Sequence, residues 1–267
     1  MPAKNGFGAR FKAAVERNFD QSAEIYDRFE EKHHLFENLT RRQLELIEPS
    51  RPERILDVGC GSGISTLALH RSLSARSPNI YGIDISERML LRAKDRCKHL
   101  RGIYFVQGDA EKLSSYFKES FDAIFYTASI FLLPGFADSL QQAWSLLVRG
   151  GVLAISYYAG LFDEKGRDAI AAAFPELKYQ YGTVPISELR SCIDSLPGSR
   201  WTQVDFRFEA SGEFLFDFLS IPAQSSGLFP KLPYHERIPK IRELCDLLTG
   251  RVNPVFMGWE FLIVRKP

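Results

Sequence analysis

The sequence predicts an α/β protein built on a doubly wound, mostly parallel sheet of seven strands, with helices ahead of the sheet and a helical lid between strands six and seven. Three observations lead to this fold class. Short apolar runs typical of buried strands alternate with segments of helical periodicity. An acidic residue lies at the end of each of the first three runs, at positions 57, 84 and 109. A long apolar insert separates the last two runs.

The first strand and the turn after it, residues 54–66, organise the rest of the chain. Gly59, Gly61 and Gly63 follow the apolar run, and helical spacing begins at Ile64. A strand, a glycine turn and a helix open a nucleotide-binding Rossmann-like fold, because glycine lets the backbone turn tightly and lets a ligand approach it. The spacing Asp-x-Gly-x-Gly-x-Gly differs from the Gly-x-Gly-x-x-Gly of dinucleotide sites, and its acid suits a positively charged amino-acid head group.

The second and third strands also end in acids. Residues 80–85 form the second strand, and Asp84 lies roughly twenty residues beyond the glycine turn, where a carboxylate accepts hydrogen bonds from both ribose hydroxyls. The alternative is that Asp84 caps the next helix, but Ser86 is the better N-cap residue. Residues 103–107 form the third strand, and Asp109 follows it. Three acids at three successive strand ends therefore indicate a nucleotide site.

Three segments together resemble the class I S-adenosylmethionine-dependent methyltransferases. Residues 54–66 resemble motif I of that family, residues 121–127 its fourth strand, and residues 108–113 its Gly-Asp-Ala-x-x-Leu segment. In that segment the Asp accepts from the adenine amino group and the next backbone amide donates to the ring, roles that fall on Asp109 and Ala110. The resemblance implies S-adenosyl-L-methionine as the cofactor. The cofactor-binding residues that we expect are Asp57, Gly59, Cys60, Gly61, Gly63, Asp84, Ile85, Asp109, Ala110 and Tyr126.

The segment ahead of the first strand, residues 10–48, has apolar residues at helical spacing and is predicted to be helical with a break near residues 18–22. A helical layer over one edge of the sheet is the simplest interpretation. Residues 23–29 also resemble a segment of quinone-biosynthesis methyltransferases and carrier-protein methyl ester synthases. In those enzymes the N-terminal helices close over the cofactor, and an aromatic residue near the transferred methyl group helps to exclude water.

Methyl transfer requires alignment, desolvation and, for a hydroxyl or ammonium acceptor, removal of one proton. The polar candidates for these roles are Tyr26, His33, His34, Tyr157, Tyr158 and His235. We select Tyr26, in the N-terminal helical segment, and Tyr157, at the carboxyl end of strand five, as the predicted catalytic residues. The chemistry needs no metal, and no metal site is expected.

The predicted organisation has three parts. An N-terminal helical cap (residues 1–50) precedes a cofactor-binding methyltransferase domain, which comprises residues 51–209 and 255–267. Between the two pieces of that domain lies an insert, residues 210–254. Residues 163–174, ahead of strand six, are expected to form a helix.

The insert is too long and too rich in aromatic residues for a plain connection between two strands, so we predict a lid over the catalytic face. Phe214, Phe218 and Phe229 are expected to supply apolar walls for the acceptor. A dimer contact, which would make the protein a homodimer, and an extra core layer are the two alternatives.

Composition limits the partners and the location. Of the 267 residues, 45% are hydrophobic, which suffices for one large domain. Lys and Arg number 34 against 33 Asp and Glu, without a basic block, so nucleic acid is not a favoured partner. The 4 cysteines are scattered without Cys-x-x-Cys spacing, which argues against zinc and disulfides and suits a cytoplasmic location. No uncharged apolar run reaches ~18 residues, so no membrane span is expected.

Three functions remain open from the sequence. The first is methyl transfer from S-adenosylmethionine to a small, apolar or aromatic acceptor, either free or bound to a carrier. The second is methylation of nucleic acid or protein, although residues 126–130 after strand four lack the Asn/Asp-Pro-Pro-Tyr/Phe pattern of base amino-methylation. The third is a non-methylating use of the same cofactor pocket, such as decarboxylation or cyclisation.

Overall fold

The computed structural model describes residues 4–48, 52–175 and 184–267, with side chains from Gly8 onward. Its strands, numbered in chain order, are β1 (Arg54–Val58), β2 (Asn79–Asp84), β3 (Ile103–Gln107), β4 (Phe121–Thr127), β5 (Leu147–Phe162), β6 (Arg200–Glu209) and β7 (Phe256–Arg265). Its helices are α1 (Lys4–His33), α2 (Leu35–Ile47), α3 (Ile64–Ser72), α4 (Glu87–Cys97), α5 (Leu113–Tyr116), α6 (Phe136–Leu146), α7 (Ala169–Ala173), α8 (Ile186–Asp194), α9 (Gly212–Ser220), α10 (Pro222–Leu228) and α11 (Tyr234–Arg251). The predicted boundary between the cap and the sheet domain, at residues 50–51, lies outside the described residues.

The seven strands form one sheet in the order β3-β2-β1-β4-β5-β7-β6. Strands β1 to β5 pair in parallel, whereas β7 is antiparallel to both β5 and β6. The predicted fold class, a doubly wound and mostly parallel seven-stranded sheet, is therefore confirmed. The chain reverses its direction of winding between β1 and β4, and ligands of such sheets bind at the carboxyl ends of the strands at this point.

The central strands are apolar on both faces because helices cover both faces. On one face Ile55 packs with Ile47 of α2 and Leu69 of α3, all three fully or almost fully buried. On the other face Leu56 belongs to a larger core that includes Leu140 of α6. Nearly every residue of β1 and β4 is therefore buried.

Helix α1 runs unbroken through the predicted break at residues 18–22. The Ser22 hydroxyl donates to the Asn18 carbonyl oxygen one turn earlier at 2.6 Å, so a polar side chain is accommodated inside the helix. The break falls instead at His34, whose φ of 51° is left-handed.

A buried carboxylate caps the helix that follows this break. The backbone N–H groups of Phe36 and Glu37 donate to the two oxygens of Glu30 at 3.0 and 2.8 Å. These amides have no partner within α2, so the side chain of the preceding helix satisfies them. Burial raises the pKa of Glu30 to about 7.

Strand β5 extends further than the sequence suggests and displaces a predicted helix. Its antiparallel pairing with β7 continues to Phe162, which lies opposite Phe256. The following turn is closed by Asp163, whose carboxylate accepts from the Arg167 backbone N–H at 2.8 Å. Only Ala169–Ala173 of the predicted helix over residues 163–174 is helical.

The insert between β6 and β7 folds into α9, α10 and α11. Its α9 is amphipathic, and Phe214, Leu215, Phe218 and Leu219 are buried. Each helix in the part of the chain that the structure describes is too short or too polar to cross a lipid bilayer.

Candidate functional site

A cavity lies at the carboxyl ends of β1 to β5, where the sheet topology places ligand sites. One part, the strand-end half, is lined by residues at or just after the ends of β1, β2 and β3: Gly59, Gly61, Asp84, Ile85, Gly108, Asp109 and Ala110. The other part, the aromatic half, is lined by Tyr26, Phe36, Phe131, Tyr158, Phe218 and Trp259. The described residues thus bring polar strand ends and an aromatic chamber into one cavity.

Asp84 ties the first glycine turn to the end of β2. Its Oδ2 accepts from the Gly61 backbone N–H at 2.8 Å, and its Oδ1 accepts from the Ser86 backbone N–H at 2.9 Å. Each carboxylate oxygen has further lone pairs, which can accept from ligand hydroxyls. Desolvation raises the pKa of Asp84, although bonds from backbone N–H groups oppose that shift. Ser86 is the N-cap of α4, as expected, because its hydroxyl accepts from the Met89 N–H.

The three glycines of the turn serve different needs. A Cβ on Gly59 would lie 2.6 Å from the Cβ of Ser129, and one on Gly63 would lie 2.9 Å from the Cβ of Ala93. Both glycines are therefore required by close packing within the protein. A Cβ on Gly61 would meet no atom within 4 Å. Gly61 lines the cavity, so the space beside it is left for a ligand.

Asp57 is fully buried behind this turn and does not line the cavity. Its Oδ2 accepts from the hydroxyls of Ser65 and Thr66, each at 2.6 Å. Its Oδ1 has no hydrogen-bond partner among the described residues. Burial raises the pKa of Asp57 to about 6. Cys60 is also buried and is held between β1 and β2, with its Sγ against Gly82.

Asp109, at the end of β3, is paired with a residue that the sequence did not single out. Lys12 of α1 donates to Asp109 Oδ2 at 2.8 Å and also pairs with Glu111. The other oxygen of Asp109 accepts from the Glu111 backbone N–H at 2.9 Å. The N-terminal helix therefore covers the strand-end half. Lys12 lies in a charged helical segment, where the sequence does not distinguish it from a solvent-exposed lysine.

Tyr26 lines the cavity, with its ring stacked on Phe36 at a centroid distance of 4.8 Å. Desolvation, reinforced by the nearby carboxylate of Glu30, raises the pKa of Tyr26 well above its usual value. Its hydroxyl therefore stays protonated at neutral pH, so it can donate a hydrogen bond but is a poor general base.

Two predicted site residues face away from the cavity. The Tyr157 hydroxyl donates to the Val184 carbonyl oxygen at 2.8 Å, and the fully buried Tyr126 shares a 2.8 Å hydrogen bond with the Ser139 hydroxyl. Successive side chains of a strand point to opposite faces, so Tyr158 of β5 lines the cavity in place of Tyr157.

Of the predicted residues, those that line the cavity are Tyr26, Gly59, Gly61, Asp84, Ile85, Asp109 and Ala110. Of the three phenylalanines expected as walls from the insert, only Phe218 lines the cavity. Phe214 packs instead against Phe29 of α1 at a centroid distance of 5.5 Å. Trp259 was not predicted as a site residue, because nothing in the sequence of a buried strand shows which of its faces meets a cavity.

These features fit S-adenosylmethionine. The space beside Gly61 admits a ligand, and the spare lone pairs of Asp84 suit ribose hydroxyls. Across residues 4–48, 52–175 and 184–267, no group of three or more His, Cys, Asp or Glu side chains is arranged to hold a metal ion.

Comparison with known proteins agrees with this site. The model of a family described as a methyltransferase domain matches residues 49–185. The chain is 31% identical over 157 residues to aklanonic acid methyltransferase DauC of Streptomyces sp. (strain C5), covering 57% of this chain and 70% of that protein. It is 26% identical over 208 residues to malonyl-[acyl-carrier protein] O-methyltransferase 1 of Ilyobacter polytropus, covering 77% of this chain and 71% of that protein.

Among solved structures, the chain resembles YjhP from E. coli with a TM-score of 0.57 and 19% identity, covering 90% of this chain and 98% of that one. This likeness concerns the fold alone. The family match spans the glycine turn and the ends of β1 to β4, where the strand-end half of the cavity is built. The chain belongs to the class I S-adenosylmethionine-dependent methyltransferases.

Proposed function

We propose that the protein transfers the methyl group of S-adenosylmethionine to a small, apolar or aromatic acceptor, either free or carried on a protein. The main support is the continuity of the cavity. Its strand-end half has the groups that suit the cofactor, and its aromatic half adjoins this region without an intervening wall of charged residues. Apolar walls with few polar groups are typical of sites for small organic molecules.

Each part of the cavity has a distinct role in this proposal. S-adenosylmethionine, when bound, supplies a methyl group made electrophilic by the sulfonium. Asp84 would accept from the ribose hydroxyls, and Asp109 and the Ala110 backbone would hold the adenine. Asp57, buried behind the glycine turn, would balance the charge of the amino-acid head without contacting it. Tyr26 and Phe36, which stack on each other, would exclude water from the aromatic half.

Alignment and desolvation carry most of the proposed catalysis. No histidine is among the described residues that line the cavity. Tyr26 is held protonated by its raised pKa, so it orients the acceptor by donating a hydrogen bond. Positioning alone can supply effective molarities of ~10⁵ M or more, which suffices for an acceptor that is already nucleophilic.

The N-terminal helix α1 and the insert between β6 and β7 together cover the cavity. The Ala223 backbone N–H donates to the Ser22 hydroxyl at 3.0 Å, which joins α10 to α1. Phe29 of α1 contacts the rings of Phe214 and Phe218 at centroid distances of 5.5 and 5.7 Å. Because Phe218 also lines the cavity, we propose that the insert is a lid whose packing is completed by the ligands.

Hydrogen exchange of backbone amides is expected to show whether the insert becomes ordered when ligands bind. Amides of residues 210–234 should exchange faster than those of β4 in the free protein, and should slow when S-adenosylhomocysteine and an acceptor are present. Peptides from β4 are the internal control, because Ile124 is fully buried in the sheet. Equal protection of residues 210–234 in both states would identify the insert as a permanent core layer or a subunit contact.

A labelling experiment tests the proposed function. The protein is incubated with methyl-labelled S-adenosylmethionine and a cell extract separated into small-molecule, protein and nucleic-acid fractions. Label should appear in organic-extractable products or in protein-bound material that hydroxylamine releases, as expected for a carrier thioester. Label that stays on protein or nucleic acid after this treatment would contradict a small acceptor. Absence of transfer by protein that binds S-adenosylhomocysteine would contradict methyl transfer itself.

A further inference from the structure

Trp259 occupies a fixed position at the aromatic half of the cavity. It lies within β7, opposite Tyr158 of β5 and Phe206 of β6, so strands hold its backbone on both sides. Its side chain is 1% exposed and lines the cavity, with its ring 5.3 Å from that of Tyr158. Such a residue presents a preorganised surface to a ligand.

The indole N–H of Trp259 is buried and has no hydrogen-bond partner in the described part of the chain. Buried donors in folded proteins are almost always paired, and an unpaired donor is unfavourable unless a ligand completes it. Even the partly exposed Trp201 of β6 has a partner, since it donates its indole N–H to Asp194 at 2.8 Å. The unpaired indole N–H of Trp259 therefore indicates that a ligand supplies its hydrogen-bond acceptor.

Two hydroxyl groups beside the aromatic half are already committed to the protein. The Thr127 hydroxyl donates to Gln43 at 2.7 Å, and the Ser129 hydroxyl donates to the Val58 carbonyl oxygen at 2.6 Å. Both hydroxyl protons are thus used by internal hydrogen bonds. The Trp259 N–H differs from them in being an uncommitted donor.

The aromatic half also lacks charge. The charged residues that line the described cavity are Lys12, Asp84 and Asp109, and Lys12 is paired with Asp109 at the strand-end half. A carboxylate buried against the aromatic residues would lose its hydration without gaining a cationic partner, which is strongly unfavourable. A neutral molecule with one hydrogen-bond acceptor matches this chamber better.

We propose that the indole N–H of Trp259 donates a hydrogen bond to a carbonyl or ether oxygen of a neutral, ring-containing acceptor. Trp259 is then a specificity-determining residue, which selects oxygen-bearing rings over plain hydrocarbons. This inference rests on the proposed function, because it identifies the chemical class of acceptor that the same cavity takes.

Calorimetry with a matched pair of probes tests this proposal. Protein saturated with S-adenosylhomocysteine is titrated with 1-tetralone and with tetralin, two neutral bicyclic molecules that differ in one carbonyl group. The wild type is expected to bind 1-tetralone about fivefold more tightly, as one neutral hydrogen bond provides. The Trp259→Phe variant keeps an aromatic ring without the N–H and should bind both probes equally. Trp201→Phe makes the same change outside the cavity and should keep the wild-type preference.

Nuclear magnetic resonance of the wild type provides a second measurement that does not depend on folding of the Trp259→Phe variant. The protein has 3 tryptophans, so its ¹⁵N-labelled indole region is simple to assign. The Trp259 N–H signal should move downfield with 1-tetralone and not with tetralin.

The outcomes separate this inference from the proposed function. If S-adenosylhomocysteine does not bind, the proposed function fails. If it binds but the wild type shows no preference for 1-tetralone, or binds neither probe, the role of Trp259 alone is overturned. A preference that survives in Trp259→Phe would likewise overturn it.

Discussion

The Gly61→Val variant is expected to lose detectable binding of S-adenosylhomocysteine while remaining folded. Gly61 has a φ of 53° and lines the cavity, and a Cβ built there would meet no atom within 4 Å. The branched side chain therefore meets no protein atom, although the backbone is strained, and it fills the space that the cofactor would occupy. Titration calorimetry measures binding, and circular dichroism with thermal unfolding measures the fold.

Gly150→Val is the matched control for this variant. Gly150 has a φ of 76°, and a Cβ there would also meet no atom within 4 Å, but it is an exposed residue near the start of β5. Both variants carry the strain of a β-branched residue in the left-handed region. Only Gly61→Val should lose the thermal stabilisation by S-adenosylhomocysteine. If that stabilisation persists, the cofactor does not lie beside Gly61.

Replacement of Asp84 by alanine should weaken binding of S-adenosylhomocysteine by ~1–3 kcal/mol, which corresponds to about 5- to 150-fold in Kd. The carboxylate offers lone pairs to the ribose hydroxyls and also accepts from the backbone N–H groups of Gly61 and Ser86. In the proposed site the variant would leave ligand hydroxyls unpaired and would loosen the glycine turn. Calorimetry on the wild type and the variant gives the ratio of affinities.

Asp168→Ala supplies the control for loss of an aspartate that accepts from a backbone N–H. Asp168 caps α7 through the Ala171 N–H at 2.8 Å, away from the cavity. This variant is expected to retain wild-type affinity for S-adenosylhomocysteine. An unchanged affinity in Asp84→Ala would mean that the ribose is held elsewhere and that β2 does not serve the cofactor.

Local patterns in the sequence sufficed for the strand-end half of the site. The glycine turn after β1 and the acids Asp84 and Asp109 are each recognisable from a few neighbouring residues. Parallel strands present their carboxyl ends at one edge of a sheet, so knowing the fold class was enough to bring these segments together. The sequence alone therefore determined the family and picked out Gly61, Asp84 and Asp109, which line the cavity.

The residues that line the aromatic half, and the helices that cover it, could be identified only from the tertiary structure. Strand β5 is buried on both faces, so its sequence carries no alternation to show that Tyr158, and not Tyr157, faces the cavity. Lys12 reaches Asp109 across 97 positions of sequence, and Trp259 meets Tyr158 only through the pairing of β7 with β5. Such contacts depend on strand register and on how the N-terminal helix lies over the sheet. No local pattern of residues encodes either of these.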